Sequence, residues 1–333
     1  MKIIFDLRNV GLGNNGGSST LVKSGNTLVD MNHEVYFVDS MRNQHKWTPL
    51  KADHIIARNN TNLPSADFII ATGYKSVGPT MRAPGRCGHK AHWIRGWETW
   101  QMPEKDIVAK VLNAPTIKLV NSICLSRKLL RYGIKSEIIR PGYDLDELTP
   151  NPKFSRKGRN IIVLGGLYAA GKHRSIKRTD WIFDTYKTLK KKYDDLELWM
   201  FGNDVIPGGK VDNYFQRPTP QMKYYFYNNV DIWLSPAMQE GLHMPPAEAM
   251  MTQCPVVGTN ADMSGTEDYL VHNYNGLVSK NSIKSFLINV EKLIKDEKLR
   301  VELGIKARYT MEALGDRKTN MQKLIEYFMG IIT

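Results

Sequence analysis

The feature that most constrains this chain is an alternation that runs twice. Short β-rich runs at Lys2–Asp6, Glu34–Val38, Asp67–Ala71, His92–Arg95, Ile117–Val120 and Glu137–Arg140 are separated by stretches of helical periodicity, chiefly Thr20–Met31 and Ser122–Tyr132. Ser18 or Ser19 is the expected N-cap of the first of these helices. The segment Pro141–Pro152, with three prolines and a glycine, interrupts the rhythm. Strands then resume at Asn160–Leu164, Leu196–Phe201, Asp231–Ser235 and Pro255–Val257. A helix spans Asp180–Tyr193, another begins near Pro246, and the tail Ser282–Ile331 is mostly helical. Strands and helices in such alternation bury parallel strands beneath helices on both faces. The expected fold class is therefore α/β, with two Rossmann-like doubly wound parallel-sheet domains, 1–150 and 151–315, facing across a cleft. Ligands of such sheets bind at the carboxyl ends of the strands.

At 333 residues, with 42% hydrophobic and 24% charged side chains, the chain is long enough for two cored domains. That composition excludes a disordered chain, a collagen-like fibre and a disulfide-stapled miniprotein. Cys87, Cys124 and Cys254 form no CxxC pair, which points to a reducing compartment and away from structural zinc. No apolar run reaches the length of a transmembrane helix, and the first strand is too short for a signal segment. A soluble, cytoplasmic protein is expected, with peripheral membrane contact left open. The 46 Lys and Arg against 33 Asp and Glu give a net charge of +13. Phe68–Trp97 carries five basic residues and Leu148–Thr179 eight, neither with an acid. Such runs are either solvated faces or attract polyanions: nucleic acid, anionic lipid or nucleotide phosphate.

Gly11-Leu-Gly13-Asn-Asn-Gly16 matches the dinucleotide fingerprint, and Asp39 follows at a suitable distance, so a nicotinamide dehydrogenase must be weighed. Leu7 to Val10 separate strand from glycine, however, where the fingerprint needs an immediate turn. Gly16 and Gly17, ahead of a helix, would let backbone N–H groups approach an anion, or else form a merely flexible loop. A second segment, Glu240-Gly-Leu-His-Met-Pro-Pro-Ala-Glu248, follows a strand and enters a helix through Pro245 and Pro246. Glu248 would suit a ribose diol and Glu240 a substrate hydroxyl or developing positive charge. The alternative is that both carboxylates only cap or solubilise the helix.

The surroundings of the two glutamates decide between these. The segment resembles the E-x7-E donor motif of the family-4 retaining glycosyltransferases of GT-B fold, with Pro255-Val-Val257 following as it does there. Arg140-Pro-Gly-Tyr-Asp-Leu-Asp-Glu-Leu-Thr-Pro150 is similar to the interdomain signature of that family. Val163-Leu-Gly-Gly166 with Lys177 resembles its phosphate segment, and Thr266-Glu-Asp268 and Asn275-Gly-Leu-Val278 its later glycine-and-glutamate segment. The resemblance implies that Glu248 binds the nucleotide ribose and Glu240 the donor sugar near its reacting carbon. It also implies that Gly241, Leu242, His243 and Met244 line sugar and phosphates, that Lys177 neutralises the departing diphosphate, and that Gly16 and Gly17 belong to a loop closing over it. The final segment, about 316–333, would be a helix crossing back onto the first, acceptor-side domain, while 151–315 binds the nucleotide-sugar. Retention of configuration and independence of metal come with the likeness, and no cofactor beyond the nucleotide-sugar, UDP-linked by preference, is expected.

Two departures matter. Gly166 stands where the family has Arg, leaving Lys172, Arg174 or Arg178 to supply a phosphate cation, with Lys172 ranked first. Arg95 stands near an expected histidine, leaving His92 or Glu98 to deprotonate the acceptor. His92, Trp93, Arg95 and Trp97 interleave cations with aromatics, a pattern suited to phosphates and stacked bases. The expected acceptor is therefore a polyanion, with a hydroxymethylated base in DNA slightly favoured over an envelope polysaccharide, lipopolysaccharide or glycolipid. A sugar-nucleotide epimerase, a dehydrogenase and a non-catalytic DNA-binding protein are the competing classes.

Overall fold

The computed structural model describes residues 1–13, 15–41, 48–99, 102–154, 160–171 and 173–333. The chain forms two compact units: Met1–Gly142 with Asp316–Thr333, and Tyr143–Gly315.

In the first unit the elements run β1 (Lys2–Asp6), α1 (Gly16–Asp30), β2 (Glu34–Asp39), β3 (Asp53–Ile56), β4 (Phe68–Ala71), α2 (Tyr74–Met81) and β5 (His89–Ile94). Then come α3 (Glu104–Asp106), continuing into a wider turn over Ile107–Leu112, then β6 (Ile117–Val120), α4 (Ile123–Leu130) and β7 (Glu137–Ile138). The sheet order is β3-β2-β1-β4-β5-β6-β7, with every pair parallel. Its strands are apolar because both faces are covered: Ile3, Phe5, Phe68, Ile70 and Trp93 are buried in one core, Ile4, Val38 and Ile69 in another. Helix α1 starts at Gly16 and not at Thr20. Its cap is Asn15, whose side chain accepts from Ser18 N at 2.9 Å, so the expected serine cap is the donor. Strand β5 likewise begins at His89, three residues earlier than the hydrophobic run, because His89 and Lys90 are edge-polar residues that still pair with Phe68 and Ile69.

The second unit repeats the plan: β8 (Ile162–Leu167), α5 (His173–Lys177), α6 (Thr179–Lys190), β9 (Leu196–Gly202), β10 (Asn213–Gln216), α7 (Pro220–Asn229), β11 (Ile232–Ser235), α8 (Met244–Met251), β12 (Val256–Thr259), β13 (Gly276–Ser279), α9 (Ile283–Lys295) and α10 (Glu297–Leu314). Its parallel order is β10-β9-β8-β11-β12-β13, so the strand order reverses between β8 and β11, as it does between β1 and β4. Loops after those strands sit where a doubly wound sheet places its ligands.

The break between units falls at Gly142, not at 150. Tyr143 is fully buried in the second core with Leu148 beside it, and Arg308 on α10 donates to the carbonyls of Leu148 at 2.9 Å and Met251 at 3.0 Å. The proline-rich segment is therefore wall, not tether. The final helix, α11 (Arg317–Ile332), returns to the first unit, burying Met321, Leu324 and Phe328 in its core and stacking Phe328 on Phe68. Gly142, at φ +76°, passes so close that a Cβ there would lie 2.4 Å from Arg317 Cα. Arg317 in turn donates to Pro141 O at 3.1 Å. The glycine of the Pro-Gly pair is thus required by a close approach in a left-handed conformation. Among the described residues, no helix is long and apolar enough to cross a membrane.

Candidate active site

In the second unit the loop between β11 and α8 carries Glu240 at the β8/β11 reversal, with Glu248 following on α8. Glu240 N donates to Met263 O at 2.7 Å and His243 N to Gly265 O at 3.0 Å, clamping the loop to the segment beyond β12. Gly265, at φ +71°, makes that contact sterically feasible, since a Cβ there would sit 2.7 Å from Glu240 Cβ. Tyr269 closes the other side by donating its hydroxyl to His243 O. Glu240 is ion-paired through Oε1 with Lys177, the last residue of α5. Burial alone would raise the Glu240 pKa, but Lys177, foremost among its neighbours, holds it below the ordinary carboxylate value. His243 Nε2 lies 3.5 Å from the same oxygen, and Nδ1 is 3.1 Å from Ser235 Oγ. Burial lowers the His243 pKa to about 4, so the ring is neutral at pH 7.

Glu248 lies on α8, where Tyr227 donates to its Oε2 at 2.6 Å and Lys223 stands 3.3 Å away. Both partners come from α7, which starts through Thr219 as N-cap and Pro220 at its first position. The pair is absent from the sequence expectations; its trace was the aromatic run Tyr224-Tyr-Phe-Tyr227 one strand before the motif. Gly241, Leu242 and His243 are buried in the loop and Met244 is half-buried, so what they offer a ligand is chiefly backbone.

The neighbouring cations divide differently from expectation. Lys172 lies outside the described residues. Arg174 pairs with Asp180. Arg178, in a left-handed conformation at φ +52°, bonds Asn281 and lies 4.2 Å over the Trp181 ring. Of the cations expected at the phosphates, Lys177 is the described one joined to the motif. Gly166 fills a packed position: a Cβ there would meet Ile182 at 3.0 Å and Met200 at 3.4 Å. An Arg at that point would have to enter the core.

The first unit overturns several expectations about the acceptor. His92 and Trp93 are fully buried in β5, and the Trp93 indole donates to Ile139 O at 3.0 Å. Burial drives the His92 pKa to about 3, and a neutral imidazole sealed in the core cannot meet an acceptor hydroxyl. Trp97 is 4% exposed, stacked on Tyr132 with Lys128 above it, and so offers no open face to a base. Arg95 is engaged with the carbonyls of Gly17 and, at 2.8 Å, Thr72. Burial lowers its pKa to about 10, which leaves it charged. Its place is structural, tying the first turn of α1 to the end of β4. Glu98 remains partly open; burial raises its pKa, and it accepts from Tyr74 N at 3.3 Å. Gly16 lies at the start of α1 with space around it, a Cβ meeting nothing within 4 Å. Asp39, the acid a dehydrogenase would turn to a ribose, instead accepts from the backbone of Ser40 at 2.7 Å.

No group of three or more His, Cys, Asp or Glu side chains among the described residues is arranged to hold a metal ion. A cavity of about 350 Å³ lined by Pro150, Phe154, Asp231, Pro255 and Arg300 opens at the amino ends of β11 and β12, away from the motif.

Comparison with known proteins gives a family match, one curated relative and structural likenesses. Residues 169–310 match the family described as glycosyl transferases group 1. CapM of Staphylococcus aureus, a capsular polysaccharide biosynthesis glycosyltransferase, is 35% identical over 195 residues, which are 55% of this chain and 50% of that protein. The chain thus spans about half the length of the curated relative it matches. Among solved structures, Anabaena HepE in complex with UDP and glucose superposes with a TM-score of 0.77 over 99% of this chain and 100% of that one, at 14% identity. A mutant of Staphylococcus aureus TarM, in complex with fondaparinux, alpha-GlcNAc-glycerol and UDP, superposes at 0.64 over 78% of this chain and 55% of that one, at 16% identity. The two Rossmann-like units are those of the GT-B fold, as the motifs implied.

Proposed function

We propose, proceeding from a group 1 glycosyl transferase domain at residues 169–310, that this protein transfers a sugar from a UDP-sugar to a hydroxyl of a cell-envelope polysaccharide, with retention of configuration. The observation that supports it most is the pairing of Lys177 with Glu240 at the β8/β11 reversal, with Glu248 held by Lys223 and Tyr227 on the next helix. A cation and a carboxylate side by side match the two charges that develop when a glycosyl phosphate bond breaks. The sugar becomes oxocarbenium-like while negative charge gathers on the diphosphate. In the proposed reaction Lys177 turns to the diphosphate, Glu240 faces the sugar, and Glu248 takes the ribose hydroxyls. The C1–O bond to phosphate breaks, a bond from C1 to the acceptor oxygen forms, and the acceptor proton leaves with the diphosphate or through Glu98. Charge on the leaving group is met by Lys177 and the backbone N–H groups of Leu242 and Met244, Pro245 and Pro246 having none, without a metal in the proposed scheme.

UDP is favoured as nucleotide because HepE is seen with UDP and with UDP-glucose, and a glycan acceptor because CapM builds capsular polysaccharide. The DNA acceptor rests on the net charge of +13 alone once Trp93 and Trp97 are found in the core. The test is a panel of UDP-, GDP- and ADP-sugars offered with capsular or wall glycan, and separately with DNA containing hydroxymethylcytosine, read by mass spectrometry. Release of UDP with a hexose or pentose mass added to glycan supports the reading. A mass gain on the DNA base, or turnover of no sugar nucleotide at all, overturns it.

A further inference from the structure

The first unit has a polar cavity of about 280 Å³ that the reading above does not use. It lies past the carboxyl ends of β1, β2 and β3, which contribute Arg8 and Asn9, Ser40, and Arg58 and Asn60 respectively, and Arg82 enters it from the end of α2. Arg8, Arg58 and Arg82 all line a space large enough for a tetrahedral anion. Arg8 is its fixed floor: 4% exposed, it grips Asp6 at 2.8 and 2.7 Å, and Asp6 is further satisfied by Thr80 Oγ1 at 2.9 Å. Asn60 locks the rim, accepting from Arg8 Nη1 at 2.7 Å and donating to Arg82 O at 2.7 Å. Asn9 is held at φ +66° beside Ser40 Oγ. Asp39, the other nearby carboxylate, is turned to the N–H groups of Ser40 and Met41.

That accounting leaves the charge of Arg58 and Arg82 over. Both are exposed, and among the described residues neither has a carboxylate partner. Planar guanidinium forks above a preformed, hydrogen-bonded floor match the oxygens of a phosphoryl group better than a single carboxylate, which could satisfy one fork only.

We propose that this cavity binds a phosphoryl group carried by the acceptor, making the acceptor a phosphate-bearing glycan; this rests on the glycosyltransferase reading for the word acceptor but not for the anion site. A nucleic-acid backbone is disfavoured because Trp93 and Trp97 of the same unit are buried and offer no face to a base.

The test is calorimetric titration of the full chain with inorganic phosphate, with glycerol 3-phosphate and with UDP, at low and moderate salt. Arg58→Gln and Arg82→Gln are at the surface, so the fold should survive both. The expected result is binding of both phosphates, weakened about tenfold or more by each substitution, with UDP affinity unchanged. Equal phosphate binding by wild type and the double variant overturns the site. A short DNA duplex that binds through Arg58 and Arg82 while glycerol 3-phosphate does not overturns the glycan assignment. Phosphate binding at this site in a protein that fails to bind UDP supports the anion site while removing the UDP-sugar part of the proposed function, so the two failures are distinct.

Discussion

Lys177 and Glu240, 63 residues apart in the chain, form an ion pair in a setting where Glu240 is only 14% exposed. A donor diphosphate would compete with Glu240 for Lys177, so the pair both restrains the two side chains and supplies the two charges that the proposed transfer requires. Partly buried pairs are worth little net stability, because desolvation offsets attraction. Breaking such a pair leaves a charge uncompensated, so separation on donor binding requires the diphosphate to replace Glu240 beside Lys177 and the sugar to face Glu240.

Replacing Glu240 by Gln keeps the size of the side chain and removes its charge. Transfer should fall about 10²–10³-fold while UDP binding holds. Steady-state kinetics beside a UDP titration would check this, and undiminished turnover would end the proposed role of Glu240.

Glu248→Ala tests the other end of the donor. Loss of a charged acceptor for two hydroxyls should weaken UDP about tenfold. Tyr227→Phe, which frees one bond to Glu248, should weaken it less. A UDP affinity indifferent to both would move the ribose elsewhere.

Gly265→Ala asks whether the clamp beneath Glu240 matters. A non-glycine residue at φ +71° with its Cβ 2.7 Å from Glu240 Cβ must shift the loop. A cost of about 1–3 kcal/mol is expected in urea denaturation, together with lost transfer. Unchanged stability and activity would mean that the loop yields freely.

Stability should fall as acid is added, and the buried histidines set the window. His92 and His243 have folded pKa values of about 3 and about 4 against an ordinary 6.5. Above pH 6.5 both are neutral folded or unfolded, and their contribution is complete. Below 6.5 the unfolded chain takes up protons that the folded one refuses, costing about 1.4 kcal/mol per pH unit for each histidine until the folded value is reached. Glu240, whose folded pKa is lowered, adds its own loss only below the unfolded carboxylate value of 4.5. Urea midpoints at pH 7.5 and 5 should differ in wild type and differ less in His92→Phe. Equal midpoints at both pH values would contradict the burial of these rings as neutral bases.

The sequence alone determined the double αβ alternation, because apolar runs of strand length between helical periods can only be buried in parallel sheets. It also determined the place of the Glu240–Glu248 segment, since strand, loop and proline-led helix are local features readable at fixed spacing. What depends on residues far apart needed the tertiary structure. The break at Gly142 became legible only when α11 was seen passing over that glycine, and the partners of Glu248 only when α7 was placed beside α8. The same holds for the aromatic and basic segment His92–Trp97. Its composition suits either a nucleic-acid face or an interior strand, and only neighbours from β4, β6 and α4 determine which side chains are sealed. The cavity of Arg8, Arg58 and Arg82 is the converse case. Three arginines scattered over more than seventy residues carry no local pattern, and the carboxyl ends of β1 and β3 with the end of α2 bring them to line one cavity.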